Sequence, residues 1–577
     1  MKRLGISIAL VVLVVAAVAP GAVAKPPPGT PAVDQAQTTE IQILALNDFH
    51  GNLEPPSGSG GRIGSLTGGQ CLPPTCHLAG GSEYLATHVR ALEATNPNTL
   101  FVSAGDMIGA TPLVSALFHD EPTIEAFNLM GLDYNGVGNH EFDEGVDELL
   151  RMQYGGCHPV DGCQDGDGFA GADFQYLAAN VAYKDNGETI FPPYAIHHFN
   201  GVKIAIVGMT LEGTPSIVTP AGISHVDFFD EADSVNALVP ELKRQGVETI
   251  IVLLHEGGST TNSNGVGSVE AINQCNALSG PLPPIVERMD DEIDVVITGH
   301  TNWAVNCVVD GKVVTGAAHQ GRLVTDIDLT ISRATKDVVS VSVNNRIVTR
   351  DVGKAADLTD LITKYKTLSA PLANRIVGSV TGDILRAANA AGESALGDVI
   401  ADAQLAATED PLFGSAVVAF MNPGGIRADI LASQISGGEA VGEVTYGELF
   451  TVQPFSNVMT VLTCTGSQID ALLEQQFRTS GNTILQVSDG FTYTWSSGAP
   501  IGSKVSNIAI GGTAITESAS YQVATNNFLA TGGDGFGVFT TCTNPIGGEI
   551  DIDALATYFG ANSPVAPGPQ NRITVVP

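Results

Sequence analysis

The chain has 577 residues, of which 44% are hydrophobic and 15% are charged; this composition is typical of a globular protein and excludes an intrinsically disordered chain. The length exceeds what one hydrophobic core usually organises, so two domains are expected. The formal net charge of −35 at pH 7 disfavours nucleic-acid polymers and anionic membrane surfaces as partners, because the protein repels polyanions. A small anionic substrate would need a local site, such as bound metal cations, to override this field.

The first 24 residues predict a secretory signal peptide. Two basic residues precede an apolar run from Leu4 to Ala19, and a small-residue cleavage pattern ends at Ala24. A permanent membrane anchor is the weaker alternative, because the run is short for a bilayer span. Residues 25–39 are predicted as a flexible lead-in, and no later segment reaches about 18 unbroken apolar residues. We therefore expect a secreted or extracytoplasmic protein, in the periplasm or at the cell surface, without a membrane span in the mature chain.

All eight cysteines follow the predicted signal peptide, and an even number in an exported chain favours disulfides. Short loop-like segments separate the members of two predicted pairs, Cys71 with Cys76 and Cys157 with Cys163. A zinc ribbon would need two CxxC-like knuckles, and neither spacing fits well. Elimination alone leaves, as guesses, Cys275 with Cys307 and Cys464 with Cys542.

Six apolar runs that end abruptly in polar residues or glycine predict buried strands followed by loops. They are IQILALNDFHG, TLFVSAGDMIG, YNGVGNHEFD, KIAIVGMTLEG, TIIVLLHEGG and DVVITGHTN. Amphipathic stretches between them, such as EADSVNALVPELKRQG, predict helices. The alternation indicates an α/β fold, in which ligands gather at the carboxyl ends of strands.

The polar residues at these strand ends form a mixed oxygen and nitrogen ligand set without thiolates, which suits borderline or hard divalent metals. The candidate ligands are Asp48, His50, Asp106, Asn139, His255, His300 and Asn302. The set is too large for one tetrahedral ion, whereas two ions sharing a carboxylate would use it fully. One strand-end histidine alone is more often structural, and one Gly-Asp is usually a turn. Recurrence at the same position on five strands favours a metal site.

The segment GVGNHEFDEG, residues 136–145, adds a second kind of chemistry. Asn139 can offer a carbonyl oxygen to a metal, while His140 is free for the substrate. Asp143, three residues later, can accept a hydrogen bond from the imidazole and fix its tautomer and charge. The alternative is that His140 and Asp143 only orient metal ligands.

The motifs LNDFHG, AGDMIG, GNHEFD, LLHEGG and GHTN, in this order, resemble those of the calcineurin-like metallophosphoesterases. Their spacing resembles the secreted bacterial 5′-nucleotidase and UDP-sugar hydrolase family over nearly all of the mature chain. The resemblance implies an αββα sandwich of two sheets flanked by helices, with two divalent metal ions, zinc or manganese being favoured. The resemblance also implies roles for individual residues. The first metal would be bound by Asp48 and His50, with Asn302 as a further amide ligand, and the second by Asn139, His255 and His300. Asp106 would be the bridging carboxylate, and His140 with Asp143 would be the catalytic dyad.

The second half of the chain follows DLTDLITKYKTL, which predicts a linker helix within residues 351–371. It would join a metallophosphoesterase domain, residues 40–350, to an α/β substrate-binding domain, residues 372–577. Three stretches of this second domain resemble the family's nucleotide-binding motifs: FMNPGGIRADI, TVQPFSNVMT and ATNNFLATGGDGFG.

That match assigns five substrate-binding residues: Asn422 and Arg427 at the nucleoside or its terminal group, Phe455 and Phe528 stacked on the base, and Asp534 at the ribose hydroxyls. Two aromatic faces can stack any base, and a carboxylate accepts two hydroxyl donors well. Core packing is the alternative for each phenylalanine alone. The chain departs from the family where one or two arginines often precede the E-x-x-x-G-[DN] helix, because Ala390 and Gly392 lie there and Arg386 is further upstream. This departure bears on recognition of a nucleotide's outer phosphates.

Together these features predict a secreted phosphohydrolase that releases phosphate from nucleoside 5′-monophosphates by attack of a water molecule held at two metals. Alternatives on the same scaffold are a UDP-sugar or NAD pyrophosphatase and a 2′,3′-cyclic nucleotide phosphodiesterase. A non-catalytic nucleotide-binding protein or adhesin is an alternative of another class, and the oligomeric state stays open.

Overall fold

The computed structural model describes residues 37–56, 58–67, 70–218, 220–260, 268–275, 277–455, 457–479 and 481–577. The predicted signal peptide and residues 25–36 of the predicted lead-in lie outside these ranges. The first strand begins at Thr38, inside the predicted lead-in, because Thr38 and Thr39 already pair with the neighbouring strand. Within the described ranges, no helix is both long and apolar enough to cross a membrane.

Two six-stranded sheets make up the N-terminal half. The strand order in the first sheet is Val338–Ile347, Leu323–Ser332, Thr38–Leu46, Thr99–Ser103, Tyr134–Gly136, Gln175–Leu177. The order in the second sheet is Ala304–Val309, Lys312–Ala317, Val295–Thr298, Thr249–His255, Val202–Thr210, Tyr194–Phe199. Four strands of the first sheet run parallel, Thr38–Leu46, Thr99–Ser103, Tyr134–Gly136 and Gln175–Leu177, as do the four inner strands of the second sheet. Their carboxyl ends therefore lie at a common edge. The neighbouring strand Leu323–Ser332 runs antiparallel to Thr38–Leu46.

The core lies between the two sheets and beneath the flanking helices. Along the first strand, Ile41 and Ile43 pack with Leu253 of the second sheet, whereas Leu44 and Leu46 belong to the cluster on the opposite face. Successive side chains of a strand point to opposite faces, so this strand is buried on both. Burial on both faces explains the unbroken apolar runs in the sequence, and the predicted αββα sandwich is confirmed.

The helices cover the outer faces of the sheets and connect the strands. The described α-helices are Ser82–Glu93, Leu113–Ala116, Glu121–Met130, Val146–Tyr154, Pro220–Ile223, Glu231–Arg244, Leu282–Arg288, Ala356–Ala373, Ala395–Thr408, Tyr446–Val452, Gly466–Glu474, Asn527–Ala530 and Asp551–Asn562. The predicted helix in EADSVNALVPELKRQG is Glu231–Arg244, whose first turn is capped by the Asp230 side chain accepting from the Asp233 N–H.

The linker helix spans Ala356–Ala373 and so begins later than predicted. Residues 351–355 precede it and include Gly353, a poor helix former. Its Leu358, Ile362 and Tyr365 side chains are buried in the core of the N-terminal half. The linker is therefore packed as part of that half.

The C-terminal half contains a five-stranded and a four-stranded sheet, as expected for a second α/β unit. The five-stranded sheet has the order Gln486–Val487, Val418–Met421, Ser520–Asn526, Val458–Thr465, Thr543–Ile550. The four-stranded sheet has the order Thr513–Ala514, Val505–Ile510, Phe491–Ser496, Ile573–Val576. Two-stranded ladders complete the described strands: Arg62–Gly64 with Cys76–Leu78, Val181–Tyr183 with Val226–Phe228, Ile376–Ser379 with Glu443–Thr445, and Phe477–Arg478 with Gly481–Asn482.

The cysteines form four disulfides. The pairs are Cys71–Cys76, Cys157–Cys163, Cys275–Cys307 and Cys464–Cys542. The two short-loop pairings are confirmed, as are the two reached by elimination. Cross-links of this kind persist in oxidising compartments.

Candidate active site

The predicted metal ligands meet at the carboxyl edge of the two sheets. Five of them have left-handed backbone conformations with φ between 48° and 66°: Asp48, His50, Asp106, His300 and Asn302. This conformation is uncommon for residues other than glycine and persists only when the surrounding structure imposes it. The loops after these strands are therefore shaped to direct polar side chains to one place.

Asp106 lies at the centre of the cluster. Its Oδ2 is 3.0 Å from Nε2 of His255 and 3.9 Å from Nε2 of His50. It belongs to two groups of potential ligands whose donor atoms lie within 4.8 Å of one another, one with His50 and His140 and the other with His255 and His300. A carboxylate shared by two groups has the position that a bridging ligand requires.

The two predicted amide ligands have different surroundings. Oδ1 of Asn139 lies 2.9 Å from Nδ1 of His300 and 3.2 Å from Nε2 of His255, so it converges with both histidines. Oδ1 of Asn302 lies 2.8 Å from Nδ1 of His319, and its amide donates to the His300 carbonyl. His319, which the sequence analysis did not single out, therefore holds the Asn302 side chain.

Backbone carbonyls fix the tautomers of two of the histidines. Nδ1 of His50 lies 2.9 Å from the carbonyl of Gly109, and Nδ1 of His255 lies 2.6 Å from the carbonyl of Ala104. A carbonyl only accepts, so each Nδ1 carries a proton and Nε2 faces the carboxylates. Metal-ligating histidines are oriented by this kind of outer hydrogen bond.

The electrostatics of the site fit a bound cation. Oδ1 of Asp48 is buried without a hydrogen-bond partner, and burial raises the pKa of this carboxyl to about 7. Burial lowers the pKa of His50 to about 3 and that of His300 to about 4, which favours the neutral imidazoles that ligate metals. Burial also lowers the pKa of His255, but the Asp106 carboxylate outweighs it and raises the value to about 10. A divalent cation would replace that proton and supply the partner that Asp48 lacks.

The predicted dyad contact is present beside the metal ligands. Nδ1 of the His140 imidazole lies 2.8 Å from Oδ2 of Asp143. The backbone N–H of His140 donates to Oδ1 of Asp106 at 2.9 Å. Burial lowers the pKa of the His140 imidazole, but the charges of Asp143 and Asp106 outweigh burial and leave the pKa raised. His140 can therefore carry a proton in the site.

Glu141 ties the two loops together, a role that the sequence analysis missed. Its carboxylate accepts N–H hydrogen bonds from Gly138, Asp106 and Met107 at 2.7–2.9 Å. At Gly138 a Cβ atom would lie 2.3 Å from Oδ1 of Asp106, so only glycine fits this close approach. The signal available in the sequence was a glutamate inside the GNHEFD motif, between Gly138 and Gly145.

Residues of the C-terminal half face this centre. The ring of Phe455 stacks on the His140 imidazole with centroids 5.8 Å apart and planes 20° apart. The Arg427 guanidinium lies 5.8 Å from the centroid of the Phe455 ring. Nδ2 of Asn422 donates to Oδ2 of Asp534 at 2.8 Å. Phe528 is half-buried against Gly533 in the GGDG loop, where a Cβ would lie 2.5 Å from its ring.

Two protein families match the two halves of the chain. Residues 41–303 match the calcineurin-like phosphoesterases, and residues 376–541 match the 5′-nucleotidase C-terminal domain. The cell wall protein Lmo0130 of Listeria monocytogenes is 32% identical over 565 residues, which cover 92% of this chain and 68% of that protein. The chain belongs to the 5′-nucleotidase family of calcineurin-like phosphoesterases.

Other members differ in length and in name. The endonuclease YhcR of Bacillus subtilis is 33% identical over 541 residues, covering 92% of this chain, although the chain spans only 41% of that protein's length. The crystal structure of a 5′-nucleotidase precursor from Thermus thermophilus has the same fold, with a TM-score of 0.73 and 24% identity, and covers 93% of this chain and 99% of that one.

Within the 5′-nucleotidase family fold, Arg386 lines a cavity of about 410 Å³ with Ser394, Pro423 and Asp429. Its guanidinium donates to the carbonyl of Arg427 at 3.0 Å, and its N–H donates to Oδ1 of Asp429 at 2.8 Å. Arg386 and Arg427 thus lie close together at the start of the C-terminal half. Ala390 and Gly392 bring no further cation to this region.

Proposed function

We propose that the protein is an exported, two-metal phosphohydrolase that releases phosphate from nucleoside 5′-monophosphates. The observation that carries the proposal is the stacking of Phe455 on His140. An aromatic side chain of the C-terminal half lies against the predicted dyad of the N-terminal half, so the proposed base site and phosphate site would share one cleft. Family membership of both halves supports nucleotide hydrolysis.

Two divalent cations would be held by the predicted ligands. Asp48, His50 and Asn302 would bind one ion; Asn139, His255 and His300 would bind the other; and Asp106 would bridge them. When bound, such ions offset the charge of phosphoryl oxygens and make water a usable nucleophile near neutral pH. The ligand set suits borderline or hard divalent metals, and the family resemblance favours zinc or manganese.

The chain's own groups supply proton transfer and orientation. Asp143 accepts from Nδ1 of His140 and so stabilises the protonated imidazole. That imidazole can donate to a phosphoryl oxygen or to the departing 5′-alkoxide. Oδ2 of Asp143, 2.8 Å from Nδ1, favours this protonated form.

The C-terminal half would hold the nucleoside. Phe455 and Phe528 offer aromatic faces that stack any base. One oxygen of Asp534 accepts from Asn422, which leaves the other for ribose hydroxyls. Arg427 adds a cation near the dyad, and together with the metals it offsets the repulsion that a chain of net charge −35 exerts on a nucleotide.

The proposed domains are residues 40–350 and 372–577, joined by the linker helix. Four disulfides support an extracytoplasmic location, since such bonds persist in oxidising compartments. The Listeria relative is named a cell wall protein, which agrees with this proposal.

Phosphodiester hydrolysis is a second candidate, because the Bacillus subtilis relative is named an endonuclease. The net charge disfavours a polymer, so a small diester such as a 2′,3′-cyclic nucleotide is the appropriate probe. A panel of AMP, UDP-glucose, NAD and a cyclic nucleotide, each with added Mn²⁺ or Zn²⁺, tests both candidates. Phosphate release from AMP is expected to be fastest. Metal-loaded protein that hydrolyses none of the four would overturn the enzyme assignment.

A further inference from the structure

We propose that a separate divalent-cation site lies at the loop closed by the Cys157–Cys163 disulfide, with His119, His158 and Asp161 as its ligands. The donor set of two imidazoles and one carboxylate suits a borderline ion such as Zn²⁺. This inference shares no ligand with the candidate active site and does not depend on the proposed function.

The three side chains converge closely. Their potential donor atoms lie within 4.8 Å of one another. Nε2 of His119 is 3.0 Å from Oδ2 of Asp161, and Nδ1 of His158 is 3.5 Å from the same oxygen. The two imidazoles stack with centroids 3.7 Å apart and planes 15° apart. Nδ1 of His158 also accepts a hydrogen bond of 3.1 Å from the Asp161 N–H, which a cation would displace.

An outer carboxylate orients the central histidine. Nδ1 of His119 lies 2.8 Å from Oε2 of Glu144, so the proton of a neutral His119 is held on Nδ1. Nε2 then faces the carboxylate oxygen of Asp161. Burial lowers the pKa of His119, but Glu144 and Asp161 outweigh burial and raise the value to about 9, so a bound cation would displace a proton from Nε2. Histidines that ligate metals usually donate their other N–H to a carboxylate or carbonyl in this way.

The supporting structure fixes the ligands from two sides. His119 and Asp120 are consecutive non-glycine residues with left-handed φ values of 51° and 61°. The Asp120 carboxylate accepts a hydrogen bond of 2.6 Å from the Ser115 hydroxyl and one of 3.0 Å from the backbone N–H of Gly109. On the other side, the disulfide closes the loop that carries His158 and Asp161.

The exposure of the three side chains would let a cation enter the site from solution. The imidazoles are mostly buried, with 16% and 14% of the His119 and His158 side chains exposed, whereas Asp161 is 47% exposed. An ion can therefore reach the carboxylate and be enclosed by the imidazoles. Such an ion would anchor the disulfide loop. Just after this loop, the Asp165 carboxylate accepts hydrogen bonds from Lys364 and Tyr365 of the linker helix.

Metal counting tests the proposal. Chelator-treated protein is equilibrated with Zn²⁺, dialysed and analysed for zinc. We expect His158→Ala to retain about one zinc equivalent less than the unaltered protein, because that variant lacks one of the three proposed protein ligands. His198→Ala, which removes an exposed imidazole elsewhere, is the matched control and should bind like the unaltered protein. Equal zinc content in His158→Ala and the unaltered protein would overturn the proposal.

A second measurement separates this site from the active-site metals. In an Asp106→Ala background, Zn²⁺ should still raise the melting temperature, because a ligand that binds only the folded state stabilises it. The rise should be absent in Asp106→Ala/His158→Ala. An identical rise in both variants would refute the site. His158→Ala should hydrolyse a small aryl phosphate within about twofold of the unaltered rate, since it lies outside the catalytic machinery.

Discussion

His140 and Phe455 stack on each other although they belong to the two different halves of the chain. The contact places a predicted base-binding ring directly on the histidine of the predicted dyad. A nucleotide bound in this cleft would touch both halves at once. It follows that substitution of Phe455 will alter the surroundings of His140 as well as the base site, so Phe528 is the cleaner probe of base stacking.

Phe528→Ala is expected to raise KM for AMP. Loss of one aromatic face removes roughly 1–3 kcal/mol of stacking, while hydrolysis of a small aryl phosphate, which has no base, should change little. Steady-state kinetics on both substrates measures the effect, and Phe528→Tyr, which keeps the aromatic face, is the matched control. An unaltered KM for AMP in Phe528→Ala would show that this ring does not hold the base.

His140→Ala should lower kcat by about 10²–10⁴-fold, the usual contribution of a positioned general acid or base. Its imidazole contacts Asp143 and Phe455, and it is not among the predicted metal ligands. The metal content should therefore stay that of the unaltered protein. If metal is lost in step with activity, His140 belongs to the coordination shell.

Asp106→Ala should abolish both active-site metals, because Asp106 belongs to both ligand groups. Asn302→Ala should weaken only one of them. Elemental analysis of purified protein checks this, in a His158→Ala background so that the additional site does not contribute. Retention of about two equivalents by the Asp106→Ala protein would contradict the bridging role.

Asp551→Asn should reduce the pH dependence of stability. The carboxyl is 1% exposed, and burial raises its pKa to about 7 despite hydrogen bonds from Asn457 and the Ile552 N–H. A raised folded-state pKa means that its stabilisation is full below the unfolded pKa, near 4, and is lost as the pH rises through 7. The upper limit of this loss is about 4 kcal/mol.

Melting temperatures between pH 4 and pH 8 measure this effect. The unaltered protein should lose more stability over the interval than Asp551→Asn does. Glu409→Gln, at an exposed position, is the control and should follow the unaltered protein. Parallel pH profiles for Asp551→Asn and the unaltered protein would show that Asp551 does not titrate as described.

The sequence predicted those features that depend on local pattern. Apolar runs ending in polar residues predicted the buried strands and, at their ends, the candidate ligands Asp48, His255 and His300, because each strand and its terminal polar residue lie within a few residues of each other in the sequence. Contacts between distant segments left no such local signal. The pairing of His319 with Asn302 and the stacking of Phe455 on His140 arise only when separate loops fold against each other.

The linker shows a related limit. Its amphipathic stretch DLTDLITKYKTL predicted a helix and lies within Ala356–Ala373. Residues 351–355, which the predicted range also included, contain Gly353 and are not helical. The histidine cluster around His119 also left no local signal in the sequence. His119 and His158 are far apart in the sequence. The turn before Glu121–Met130 and the Cys157–Cys163 loop bring them together.

The most direct test of the central claim is the ratio of kcat/KM for AMP to kcat/KM for a small aryl phosphate, measured with the metal-loaded full chain. Two stacking rings and a ribose carboxylate should favour the nucleotide by about 100-fold or more, since each stacking face contributes roughly 1–3 kcal/mol. A ratio near 1 would contradict the account, because it would mean that the C-terminal half does not present the nucleoside to the metal centre.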